Sequence, residues 1–257
     1  MTGAAGLLLT FMLLPIVALV ATLSWGEFRA GITNPVVLPA LKLSLSTTMT
    51  SLAVVVVLGT PLAWLLSRRH GRVVRVVETL VRLPVVLPPA VAGVALLLAF
   101  GRRGLIGGWL ADLGISIPFT TLAVILAEIF VAAPFYLQAA ISAFRGIDSS
   151  LLVVARTLGA SPARVFLRIA VPLAAPSLLA GAALTWARAL GEFGATLMFA
   201  GNLPGRTQTL TLAVYTTFES DMRAAQSISL VLVVVAFTLL YTLTVRAPRD
   251  GRAGERA

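Results

Sequence analysis

Six long apolar runs constrain this chain more than any other feature of its 257 residues. A helix needs about 20 mostly apolar residues to cross the hydrocarbon core of a bilayer. Residues 7–25, 41–66, 84–100, 119–143, 173–200 and 228–245 all approach or exceed that length. The whole chain is 58% hydrophobic and 12% charged, against about 25% charged in a soluble domain. The expectation is therefore an all-α integral membrane protein with six transmembrane helices and no room for a separate soluble domain. The first run has no basic region before it and is longer than the apolar core of a signal peptide, so it reads as a retained helix. The chain has no cysteine, which removes disulfides, thiolate metal sites and cysteine nucleophiles together.

The formal net charge of +10 follows topology. One set of loops carries Arg68, Arg69, Arg72, Arg75 and Arg82, then Arg145, Arg156, Arg164 and Arg168, then Arg246, Arg249, Arg252 and Arg256. The opposite set carries Arg29, Lys42, Arg102, Arg103, Arg206 and Arg223. The richer side is expected to be cytoplasmic, which puts both termini of a six-span protein inside. Basic clusters placed between apolar runs need no nucleic acid to explain them, and none is expected as a partner. The chain divides into an N-terminal helix with its external loop (1–40), a transmembrane domain (41–245) and a basic tail (246–257) whose Arg and Gly content predicts disorder.

The longest cytoplasmic connection, 144–172, reads as two short helices. Asp148 caps the first, Gly159 ends it in a left-handed conformation, and Ser161 followed by Pro162 gives the N-cap and first position of the second. Val165, Phe166 and Ile169 then form an apolar face, with Arg164 and Arg168 opposite. Periodicity alone leaves two readings open: a helix lying in the lipid interface or a docking element for a cytoplasmic partner.

In the fifth run Thr185, Arg188, Glu192 and Thr196 are three, four and four apart, which on one continuous helix confines them to an arc of about 80°. Exposing a charge to lipid costs about 2.5 kcal/mol or more, so such a stripe faces the bundle interior or a water-filled path. Arg188 and Glu192 at i,i+4 can neutralise one another, either as a packing lock or as a gate whose pairing changes between conformations. Glycines 181, 191, 194 and 201 offer close helix contacts. In the fourth run Thr121, Glu128, Phe135 and Ser142 recur every seven residues and turn Glu128 inward, while Pro134 is expected to kink that helix. The third run opens on Pro84, Pro88 and Pro89, read as a helix start. After the fifth run, "AGNLPGRTQTL" is expected to be a solvated external loop, with Asn202 and Arg206 available to a binding protein or an arriving anion. His70, the only histidine, sits among arginines and reads as solvated.

The segment 148–176 resembles the cytoplasmic "EAA" loop of ABC importer permeases: Ala155, Gly159, Ile169 and Pro172 fall on that family's spacing. Val153 and Val154 stand where its glutamate and first alanine are usual, and Val171 replaces a leucine. The resemblance implies a coupling-helix loop between helices four and five, with Ala155, Gly159, Ser161, Pro162, Arg164, Phe166, Ile169 and Pro172 seated on an ATPase subunit. "RALGEFGATLMFAGN", "PGRTQTLTLAVYT" and "LPPAVAGVALLLAFGRRGLIG" are most similar to the molybdate importer permeases, and Phe193 and Ala195 favour them over the sulfate or thiosulfate relatives. It further implies a homodimer in a prokaryotic cytoplasmic membrane, two ATPase subunits that bind ATP and Mg, an extracytoplasmic oxyanion-binding protein, and no cofactor on this chain. The only lysine, Lys42, has no phosphate-binding glycines before it, so a P-loop is absent. The alternatives outside the family are an ion-gradient-driven transporter and a membrane scaffold without transport.

Overall fold

The computed structural model describes residues 2–246, and among them every regular element is helical. Residues 247–257, where the disordered tail is expected, lie outside the described part. The helices are α1 (Thr2–Ala21), α2 (Trp25–Ile32), α3 (Val37–Arg68), α4 (Arg72–Val86), α5 (Pro89–Phe100), α6 (Gly107–Asp112) and α7 (Thr121–Arg145). They continue with α8 (Ser149–Thr157), α9 (Pro162–Val165), α10 (Val171–Leu190), α11 (Gly194–Ala200), α12 (Leu210–Phe218) and α13 (Met222–Arg246).

At the centre α7 lies between α3 and α10. Its inward face alternates small and large residues, with Ala123, Ala127, Ala132 and Ala140 allowing close approach and Tyr136 and Phe144 filling the gaps between helices. The periphery is α1, whose spanning window is wholly unburied. Only its last turn is tied down, where Gln226 donates to the Leu19 carbonyl and Arg223 to that of Thr22 at 3.1 and 2.8 Å.

Three of the six expected spans change form. Five helices are long and apolar enough to cross a membrane, and the sixth exists only if α4 and α5 are counted together across a bend of 118°. The third run is thus no straight helix. Pro89 does begin α5 at its first turn, but the 12 residues of α5 rise about 18 Å, well short of a hydrocarbon core of about 30 Å. Residues 72–86, expected to be loop and span entrance, form the amphipathic helix α4. The fifth span is shifted in both directions. It begins at Pro162, running through a π-helical turn at Phe166–Ala170 into α10, and it stops at Leu190. The second loop helix and the fifth span are therefore one rod, because the widened turn, in which Val171 N–H bonds the Phe166 carbonyl, carries the ladder past Pro172 without ending it. The sixth span begins earlier than expected, at Met222.

Candidate coupling hairpin and broken-helix site

The hairpin formed by α8 and α9 is built as its punctuation predicts. The Asp148 carboxylate accepts from Ser150 N–H at 2.9 Å, and that bond holds its pKa below the usual carboxylate range. At the other end Gly159 adopts φ +83°, which a side chain would resist. Its N–H reaches the Arg156 carbonyl at 3.0 Å and Ala160 N–H reaches that of Ala155 at 3.1 Å, a complete Schellman closure. Ser161 Oγ then accepts from Arg164 N–H at 3.3 Å, with Pro162 next in line.

Val165 is fully buried and Phe166 and Ile169 half-buried, while Arg164 and Arg168 are exposed. The Phe166 ring meets Trp64 of α3 at 5.6 Å and Phe144 of α7 at 6.1 Å. Arg68 stacks over Trp64 and donates to the Phe144 carbonyl, and Arg145 pairs with Glu78 of α4. The inner face of the hairpin is thus fastened to α3 and α7, and α7 in turn is paired with α4. Its outer face carries Val153, Val154 and Leu158, more than half exposed, with Leu158 at 83%. Val153 and Val154, at the positions that depart from the EAA pattern, belong to this outer surface. Nearby, a groove of about 720 Å3 runs between α7, α8 and α10, past Ser142, Asp148, Ser177 and Gly181.

At the far end of the rod, α10 breaks. Gly191 ends it and Phe193 takes φ −135°, ψ −60°, outside the helical region. Thr196 therefore belongs to α11 and does not extend a stripe through Thr185, Arg188 and Glu192 on one helix. The carboxylate bridges the break: Glu192 Oε1 accepts from Ala195 N–H at 2.8 Å, and Oε2 lies 2.8 Å from Arg188 Nη2. No N–H is aligned on Oε2, so this contact is held by charge. Glu192 is negative at the start of α11 and Arg188 positive at the end of α10, as both helix dipoles favour. The Glu192 carbonyl accepts from Thr211 Oγ1 at 2.7 Å, and the Phe193 and Tyr215 rings lie 5.2 Å apart, joining α12 to the break. The buried hydroxyls of Thr185 and Thr196 have no partner.

Glu128 is buried as expected, and its two oxygens accept from Thr47 and Ser51 of α3 at 2.8 and 2.7 Å. The α3 partners are a seam that the sequence reading did not single out. Ser44, Thr47, Thr48 and Ser51 are each 1% exposed. Thr48 accepts from Trp186 Nε1, and Ser44 Oγ accepts from Leu210 N–H at the start of α12. Their i, i+3, i+4, i+7 spacing inside an apolar run was the available signal. The weaker seven-residue stripe does not hold together, since Ser142 is exposed while Thr121 binds the Arg206 carbonyl.

The segment expected to be a solvated external loop is exposed only at residues 203–206. Thr207, Gln208 and Thr209 are buried, Leu203 N–H donates to Thr207 Oγ1, and Asn202 Nδ2 donates to Thr216 Oγ1. Thr209 caps α12 inside the bundle, and the next residue, Leu210, meets Ser44 of α3 through its N–H. The Arg206 side chain remains exposed.

Helices long and apolar enough to cross a membrane, one of them ending at a buried polar break, together with a hairpin packed on one side and exposed on the other, are the architecture of a multi-pass membrane permease. Residues 56–247 match the family described as binding-protein-dependent transport system inner membrane component, and the chain belongs to that family. It is 45% identical over 240 residues, covering 93% of this chain and 91% of the other, to the molybdenum transport system permease protein ModB of Mycobacterium tuberculosis. It is 34% identical over 245 residues, covering 94% and 88%, to the sulfate transport system permease protein CysT of Escherichia coli. Among solved structures it matches a bacterial ABC transporter for alginate import at a TM-score of 0.77 and 16% identity, over 97% of this chain and 94% of that one. It also matches the MetNI methionine ABC transporter at 0.64 and 21%, over 81% and 93%.

Proposed function

We propose that this chain is the membrane subunit of an ATP-driven importer of molybdate, with tungstate as an equivalent cargo. In this reading two copies form the pathway, two cytoplasmic subunits bind ATP and Mg and hydrolyse the nucleotide, and an extracytoplasmic protein delivers the oxyanion. Both termini and the arginine-rich end are cytoplasmic. The observation that carries the reading is the continuous rod from Pro162 to Leu190, 29 residues or about 40 Å long. One end is the exposed hairpin and the other the Arg188–Glu192 break. An ATPase gripping Val153, Val154 and Leu158 moves the rod as a lever, because Phe166 keys it to Trp64 and Phe144. The lever acts on a break held by charge, which can open without unpacking a core.

Molybdate is favoured by the 45% likeness to a molybdenum permease over nearly the whole chain, together with Phe193 and Ala195. Ala195 is fully buried, with its backbone packed against Gly93 of α5. The test is ATP hydrolysis by this chain reconstituted in liposomes with its ATPase and binding protein, titrated with molybdate, tungstate and sulfate. Stimulation by molybdate or tungstate at concentrations where sulfate is silent is the expected result. Stimulation by sulfate alone would keep the engine and overturn the cargo, and failure to form a complex would overturn both.

A further inference from the structure

The amphipathic helix α4 has a wider apolar arc than its packing uses. Val74, Val77 and Val81 pack on the core between α3 and α7, and Glu78 beside them pairs with Arg145. On the adjoining arc Val73, Val76, Leu80 and Leu83 are 76, 57, 60 and 48% exposed, so nothing among the described residues covers them. Beyond that arc run Arg72, Arg75 and Arg82, none with an acidic partner among the described residues, since the only carboxylate of α4 is taken by Arg145. A groove of about 420 Å3, lined by Arg72, Arg75, Val76, Thr79 and Leu80, marks the border between basic and apolar surface.

The 118° bend against α5 turns α4 out of the direction of the span. A helix with one face on protein, an uncovered apolar flank and a basic border is built to lie in the plane of a bilayer surface. We propose that α4 is a binding site for an anionic phospholipid: Arg72 and Arg75 hold the phosphodiester and Val76 and Leu80 take the acyl chains. The ligand must be amphiphilic, because a free polar anion would leave Val76 and Leu80 unused and a neutral lipid would leave both guanidinium groups unpaired. The proposal rests on the reading of the arginine-rich end as the cytoplasmic one, where anionic lipids attract basic segments.

The absence of cysteine lets one label report. A spin label on Val76→Cys, in the complex with its ATPase in vesicles of phosphatidylcholine and phosphatidylglycerol, should be reached by oxygen more readily than by a water-soluble nickel chelate. Preference for nickel would show a water-facing helix. Loss of access to both reagents on adding the ATPase, or on pairing of two copies, would show a protein occupant. Either outcome overturns the proposal.

In the second arm, Arg72→Gln with Arg75→Gln should lower the phosphatidylglycerol retained through purification roughly tenfold relative to phosphatidylcholine, as expected from losing two basic contacts to an anionic surface. The corresponding lysine variants should retain most of it. Unchanged retention, or displacement of the lipid by inorganic phosphate alone, also overturns the proposal. Oxyanion-stimulated ATP hydrolysis in the same vesicles reports separately on the transport reading.

Discussion

Glu192 serves two helix ends at once, with Ala195 N–H on one oxygen and Arg188 on the other. Because the Arg188 contact is charge without an aligned hydrogen bond, Arg188→Ala should reduce the initial rate of anion uptake by about tenfold or more while complex yield stays near wild type. A tenfold loss of rate corresponds to about 1.4 kcal/mol of interaction made in the moving state. Equal loss of uptake and of yield would assign the pair to packing alone. Glu128 is different, since it accepts two hydroxyls from α3 and has no cation partner among the described residues. Glu128→Ala should destabilise the chain by about 1–2 kcal/mol, read as a lower thermal midpoint in detergent. Glu128→Gln should cost less, since Thr47 and Ser51 also reach the Ser44 and Ile125 carbonyls. Both carboxylates stood out in the sequence because charge is rare in apolar runs. Arg188 was legible as the i,i+4 partner of Glu192, but the other partners were not: Ala195 N–H becomes a donor only once α10 has broken, and the α3 hydroxyls are common residue types.

Among the elements, the hairpin and the α5–α11 contact respond to single side chains. Leu158 is 83% exposed and supports nothing inside the chain, so Leu158→Asp should leave the thermal midpoint within about 2 °C and abolish co-purification of the ATPase. Retained co-purification would move the docking surface elsewhere. At Gly93 an added Cβ would fall 2.6 Å from Met198 Cβ and 2.8 Å from the Ala195 carbonyl oxygen. That oxygen is backbone and cannot rotate away, so Gly93→Ala should cost about 1–3 kcal/mol by prising α5 from α11, measurable as a lowered midpoint. The start and stop of α8 were readable from Asp148 and Gly159, because caps are local hydrogen-bond chemistry. The fusion of α9 with α10 and the bend before α5 were not. Proline forbids one bond of the ladder, but whether the helix ends, widens or folds back depends on the neighbours packed around it.

Over the whole molecule, one bundle connects a surface hairpin to a buried break, and α1 stands almost outside it. Removing residues 2–21 should leave the unfolding midpoint of the remaining chain within about 2 °C, because α1 buries almost nothing against its own chain. A large drop would show that it is held through a second copy. The solvent of this protein, its class of spans, the arginine-rich end and the caps of the coupling hairpin are all written in its residues. Each of these follows from the transfer energy of side chains or from bonds between residues a few positions apart. The bend of the third span, the end of the fifth at Leu190, the burial of Thr207, Gln208 and Thr209 and the polar seam of α3 come instead from how the helices pack. A polar group or a broken ladder inside a bilayer is stable only where another helix satisfies it, and which helix stands opposite is a property of the packed bundle.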